Sequence, residues 1–155
     1  ERERMNLIEN KKAGFGYELQ EKFEAGLELT GNEVKSIRGR RATIIGAYVA
    51  IRGNEAFLLN AEIQPYQPNN LIDGKDTNEK KRAIKLLLQK REIKKLSDLS
   101  QQRGLTLIPI SMYNKGRNIK LSFAIGRGKK GKDKRETIKR READREIHRT
   151  LKKRR

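Results

Sequence analysis

Ile44-Ile45-Gly46-Ala47-Tyr48-Val49-Ala50-Ile51, then Arg52-Gly53-Asn54, then Glu55-Ala56-Phe57-Leu58-Leu59-Asn60-Ala61-Glu62-Ile63 is the run that decides the fold class. Two apolar, partly β-branched segments flank three residues of turn chemistry, which predicts an antiparallel hairpin. Downstream, Leu105 to Tyr113 and Asn118 to Ile125 flank Asn114-Lys115-Gly116-Arg117 and predict a second hairpin. Upstream, Phe15, Tyr17, Leu19 and Glu21 onward alternate in part, and Leu27 and Leu29 resume the alternation. That pattern predicts strand segments interrupted at Glu24-Ala25-Gly26.

Helical signals lie between these strands. Val34 and Ile37 sit three apart after Asn32, a residue suited to an N-cap, and Gly39 marks the end of a short helix. Pro65, Pro68, Asn69-Asn70 and Asp73-Gly74 read as a polar loop. A longer helix is predicted over Asn78 to Leu96, with Ala83, Leu86, Leu87, Ile93 and Leu96 filling about half the circumference. Ile84 and Leu88 fall outside that stripe, and Lys80, Lys81, Lys85, Lys90, Arg91 and Lys94 form a basic opposite side. A second short helix is expected from Ser97 to Gln102, stopping at Gly104. Six or so short strands with two or three helices in this order predict a mainly β protein, an OB-type small β-barrel plugged by helices. A split α+β sheet is the alternative architecture.

The 155 residues suffice for one core with extensions. Net charge is +18, from 38 Lys+Arg against 20 Asp+Glu, far more than solubility asks of a small domain. The natural partner is therefore a polyanion, and without a spanning segment, a signal peptide or a basic amphipathic helix rich in aromatics, nucleic acid is favoured over membrane. Cysteine is absent, which removes disulfides, thiol catalysis and zinc fingers and fits a reducing cytoplasm. The charge is concentrated at the end: residues 126–155 hold 15 Lys/Arg and 5 Asp/Glu, a net +10. Their only aliphatic side chains larger than Ala are Ile138, Ile147 and Leu151. Two regions are expected: a barrel over 1–125 and a basic tail over 126–155 that is disordered when free, since so few aliphatics repay little ordering entropy.

No catalytic apparatus is legible, and no cofactor or metal is implied. The single histidine, His148, lies in the basic tail without a partner nucleophile. Gly126-Arg127-Gly128-Lys129-Lys130-Gly131 lacks the spacing and the Lys-Ser/Thr pair of a phosphate loop, and reads as a flexible basic hinge. Glu24 and Glu33 are either ordinary surface carboxylates or acceptors for base amino groups and ribose hydroxyls, in a chain whose other polar groups are mostly donors. Without Trp or an aromatic cluster, structured RNA held by phosphates and shape fits better than splayed single strands.

Three blocks carry a resemblance. They are Phe23-Glu24-Ala25-Gly26-Leu27-Glu28-Leu29-Thr30-Gly31-Asn32-Glu33-Val34-Lys35-Ser36-Ile37-Arg38, then Lys85-Leu86-Leu87-Leu88 leading to Arg91-Glu92-Ile93, and Gly128-Lys129-Lys130 followed by Asp133-Lys134-Arg135. In this order and spacing the chain resembles the small protein B family, the SsrA-binding proteins, from about Asn10 to the tail. The resemblance implies an OB-type barrel that binds the tRNA-like domain of tmRNA in place of an anticodon arm. It further implies delivery to the vacant A site of a stalled ribosome, with the tail folding as a helix in the empty mRNA channel.

Carried over by residue, the resemblance implies that Glu24, Leu87 and Lys120 bind tmRNA, that Lys35 and Arg38 meet phosphates and that Tyr17 stacks. It also implies that Lys129, Lys130, Lys132, Asp133, Lys134 and Arg135 serve at the decoding centre. Partners would be tmRNA and small-subunit ribosomal RNA, with no membrane, for a monomeric, cytoplasmic, non-enzymatic adaptor. Glu136, three residues after Asp133, suits a cap on the tail helix, and Arg140, Arg141, Arg145 and Arg149 would face the channel. The chain departs from the family pattern at Lys132, where Tyr or His is usual, at Ile84, where Arg is usual, and at Ile45-Gly46-Ala47.

Overall fold

The computed structural model describes residues 5–65, 71–72, 75–76, 81–128 and 133–153. In chain order these form β1 (Met5–Glu9), α1 (Ala13–Gly16), β2 (Tyr17–Leu27), α2 (Gly31–Arg38), β3 (Ala42–Thr43), β4 (Tyr48–Arg52), β5 (Glu55–Leu59) and β6 (Glu62–Ile63). There follow β7 (Leu71–Ile72), β8 (Lys75–Asp76), β9 (Ile84–Leu87), α3 (Lys90–Ser100), β10 (Leu105–Lys115), β11 (Asn118–Gly128) and α4 (Asp133–Lys153). Antiparallel pairing runs β10-β11-β2-β9-β5-β4, and the bridge Leu107↔Val49 between β10 and β4 closes the six strands into a ring. β1 adds to the free half of β10, while β3-β6 and β7-β8 are small separate pairs. This is the mainly β, OB-type barrel that the strand order predicts.

Both hairpins form. In the first, Arg52 pairs with Glu55 across a two-residue turn in which Gly53 takes φ +62°, a conformation glycine adopts without steric cost. The strands are shorter than expected, because Ile44–Ala47 stays outside β4 and Glu62–Ile63 pairs with β3 instead. The second hairpin runs on to Lys115 on one side and Gly128 on the other. The ring encloses Val49, Ile51, Leu58, Leu86, Leu107, Leu121, Phe123 and Ile125, and α3 caps the core with Ile93 and Leu96.

Three expectations change. First, β2 is continuous through Glu24-Ala25-Gly26, because β11 and β9 supply hydrogen-bonding partners on both edges and override the weak strand preference of glycine. Phe15 belongs to α1 rather than to that strand. Second, the helix predicted over Asn78 to Leu96 is divided. Ile84–Leu87 is strand β9, filling the slot between β2 and β5, and α3 begins only at Lys90 and runs without a break into the separately predicted Ser97–Gln102 segment, ending at Ser100. A Gln89/Glu92 capping box fixes that start. Third, α2 is capped by Thr30 rather than Asn32. Glu33 N donates to Thr30 Oγ1 at 3.2 Å and Thr30 N to Glu33 Oε1 at 2.8 Å, a reciprocal box one turn long.

The basic tail also finds a surface. α4 lays Ala143 and Ile147 onto Tyr48, Ala50, Phe57, Leu59 and Ala83, on the outer side of β4 and β5. Thr150 Oγ1 accepts from Ala83 N at 3.2 Å, and Arg52 pairs with Asp144. The contact is made by Ala143, Ile147 and Thr150 at i, i+4 and i+7, of which a count of aliphatics larger than Ala registers only Ile147. Tyr48, enclosed there, has its phenol pushed up to about 12, first by burial and then by the Glu142 carboxylate, with Glu146 and Asp144 adding and Arg52 opposing.

Candidate nucleic-acid interface

The strand register assembles the site. Tyr113 of β10 pairs with Lys120 of β11, Lys120 with Gly26 of β2, and Gly26 with Leu87 of β9, which makes one transverse row across four strands. Glu24 lies two residues before Gly26, hence on the same face, opposite Ser122. Glu24, Leu87 and Lys120, remote in sequence, therefore meet within two rungs of one sheet face.

Gly26 lets Leu87 and Lys120 approach each other closely. A Cβ at that position would stand 3.3 Å from Leu87 Cβ, 3.4 Å from Leu87 Cδ1 and 3.6 Å from Lys120 Nζ. Leu87 is 55% exposed beside this cation, an apolar contact surface held in the open. Glu24 accepts from the Tyr113 hydroxyl and pairs with Lys115 Nζ at 2.9 Å. Tyr113, Lys115 and the spacing role of Gly26 are features that the sequence reading missed. Their signal was available only in the hairpin register, which brings Lys115 and Tyr113 beside Lys120.

A cationic margin adjoins the row. Arg38 extends from α2 to donate from Nη2 to the Arg117 carbonyl at 2.8 Å, tying α2 to the tip of the β10-β11 hairpin. Lys35, Arg38, Lys115 and Arg117 are all exposed. Glu33, by contrast, is structural. It is buried, its carboxylate takes Arg82 Nε at 2.9 Å and Nη2 at 2.6 Å, and the same guanidinium donates to the Glu28 and Ala83 carbonyls. This bidentate pair fastens the N-terminus of α2 to the approach of β9. Tyr17 is not part of the cluster. It pairs with Gly128 at the root of the tail, seven residues and about 23 Å along β2 from Glu24.

Asp133, Lys134 and Arg135 open α4. Lys129, Lys130 and Lys132 lie outside the described residues. His148 is exposed on α4. Among the described residues no cluster of three or more His, Asp or Glu is arranged to hold a metal ion, and no helix is long and apolar enough to cross a membrane.

Fold and site together define a small basic β-barrel protein of the OB type, with a cationic face around one fixed carboxylate. Comparison with known proteins narrows this class. The chain belongs to the SmpB family, whose model, described as SmpB protein, matches residues 7–153. An SsrA-binding protein of Gloeothece citriformis is 44% identical over 146 residues, covering 94% of this chain and 92% of the relative. That of Mesoplasma florum is 48% identical over 143 residues, covering 92% and 94%. Among solved structures, a chain described under "tmRNA-SmpB: a journey to the center of the bacterial ribosome" superposes with a TM-score of 0.67 at 35% identity, covering 92% of this chain and 97% of that one.

Proposed function

We propose that this chain is a tmRNA-binding adaptor of trans-translation. Its barrel binds the tRNA-like domain of tmRNA, the pair enters the vacant A site of a stalled ribosome, and the tail probes the empty mRNA channel. The observation that carries this reading is the row that gathers Glu24, Leu87 and Lys120 on one face. Such a face offers three different contacts to folded RNA: a cation for phosphate, an apolar side chain for a sugar or base, and an acceptor for an amino group or 2′-hydroxyl. Lys35 and Arg38 extend the phosphate contacts from α2. Tyr17 sits at the tail root, where Lys129, Lys130, Lys132, Asp133, Lys134 and Arg135 lead to the decoding centre. The protein acts as a non-enzymatic adaptor in the cytoplasm, where ribosomes are.

The decisive measurement is binding to the isolated tRNA-like domain of tmRNA, with ordinary tRNA as comparison. With about five phosphate contacts and a slope of about 0.8 per contact, a fourfold rise in salt weakens binding by roughly a few hundred-fold. Glu24→Ala weakens binding as well, although removing an acid from an RNA-binding surface favours the polyanion on electrostatic grounds alone. Equal affinity for both RNAs, or tighter binding by the variant with its fold intact, counts against this function.

A further inference from the structure

We infer that Tyr113 is a positioning residue that aims the Glu24 carboxylate at the RNA and so contributes to the choice of RNA; this rests on the tmRNA-binding reading above. Tyr113 is fully buried in β10, whose backbone pairs with Asn6 of β1 on one edge and Lys120 of β11 on the other, so its ring is enclosed on a strand held from both sides. Its hydroxyl donates to Glu24 Oε2. A donor held by a rigid buried ring fixes an anion far better than a donor on a flexible stem.

Lys115 also reaches Glu24, but its side chain is 57% exposed. An exposed Lys–carboxylate pair contributes little and is screened by salt. Of these two donors the phenol therefore orients the carboxylate more firmly, and the ammonium chiefly offsets charge. A carboxylate has about four lone-pair positions, so it can accept from the Tyr113 hydroxyl and also from a base amino group or a ribose hydroxyl of an RNA. The same fixed anion repels a phosphate that enters out of register. Glu24 held in place thus rewards one RNA surface and penalises others; Glu24 released can swing onto neighbouring cations and do neither.

The test is a double-mutant cycle read as affinity for the tRNA-like domain relative to ordinary tRNA. Tyr113→Phe keeps the buried ring and removes only the hydroxyl, and should lower that ratio about five- to tenfold. In a Glu24→Ala background the same substitution should change it less than twofold. Glu24→Asp, which alters no buried side chain and moves the carboxylate about one bond back from the phenol, should lose as much as Tyr113→Phe even if that variant folds poorly. A Tyr113→Phe effect that persists undiminished without Glu24, or a Glu24→Asp protein that binds as the parent does, overturns the positioning role. If Glu24→Ala itself leaves binding unchanged, it is the underlying reading that fails.

Discussion

At the scale of single residues, Gly26 shows how a missing side chain shapes an interface. Its φ is not in the left-handed region, so the constraint is space: a methyl group there presses on Leu87 Cβ at 3.3 Å, part of the β9 framework, while the Lys120 ammonium at 3.6 Å can withdraw. Gly26→Ala gains about 0.4–1 kcal/mol by restricting the unfolded chain and loses a similar amount to the tight contact. Folding stability should therefore stay within about 1 kcal/mol of the parent by denaturant titration. Affinity for tmRNA should fall severalfold, because Leu87 and Lys120 are displaced. Unchanged affinity would show that their mutual placement is unimportant. The same proximity explains why the sequence showed Glu24 only as an ambiguous carboxylate: Tyr113 and Lys115 lie about ninety residues away in the chain.

At the scale of elements, the tail helix is the one whose place was least legible. Tyr48-Val49-Ala50-Ile51 and Ala56-Phe57-Leu58-Leu59 do not alternate, a pattern of strands covered on both faces. That absence of alternation was the available signal that something covers the outer face. The cover is thin. Burying Ile147 contributes about 2–3 kcal/mol and Ala143 less, while the half-exposed Arg52–Asp144 pair adds at most about 1 kcal/mol. Ordering about two residues of backbone costs as much. On the function proposed above, a helix held this thinly is available to a stronger partner such as an RNA-walled channel. Ile147→Asp should undock it, seen as faster amide exchange in residues 133–153 with the barrel unchanged; equal protection would mean that other contacts hold it.

Tyr48 reports on the same contact. Its raised phenol means that the docked state favours the neutral form, so this contribution to docking is complete below pH 10.0 and is lost as pH rises through about 12. Ending the chain at Gly131 removes Glu142, Glu146 and Asp144 together with the covering helix. Tyr48 should then titrate nearer 10.0, measured as the phenolate absorbance that Tyr48→Phe abolishes. Titration at about 12 in the shortened protein would mean that the barrel alone raises the phenol.

At the scale of the whole molecule, charge is divided between a barrel carrying +8 and a tail carrying +10, which suggests separable tasks. As a helix, the 21 residues of α4 span about 32 Å, long enough to act as a probe. A protein ending at Gly131 should bind tmRNA with nearly parental affinity yet fail to support peptide tagging. A tail scrambled at constant composition should fail as well, because Glu142-to-Arg145 and Glu146-to-Arg149 spacing and the Ala143, Ile147, Thr150 stripe are properties of order, not charge. Tagging by the scrambled protein at the parental rate would reduce the tail to an electrostatic tether.

The sequence by itself determined what depends on composition and on neighbours along the chain. This includes the polyanion partner, both hairpins with their Gly-containing turns, the helix at Val34 to Ile37, and a basic tail with helix-compatible charge spacing. Through three ordered blocks it also determined the family. Only the tertiary structure decided that Ile84–Leu87 is a strand, because an empty slot between β2 and β5 offers hydrogen bonds that no local periodicity records. Tertiary structure also decided that Glu33 is consumed by Arg82 whereas Glu24 faces the candidate interface, and that α4 has a surface to rest on. Each of these depends on which strand edges and apolar faces remain unsatisfied after the rest of the chain has folded, a quantity set across the whole molecule and not within any window of it.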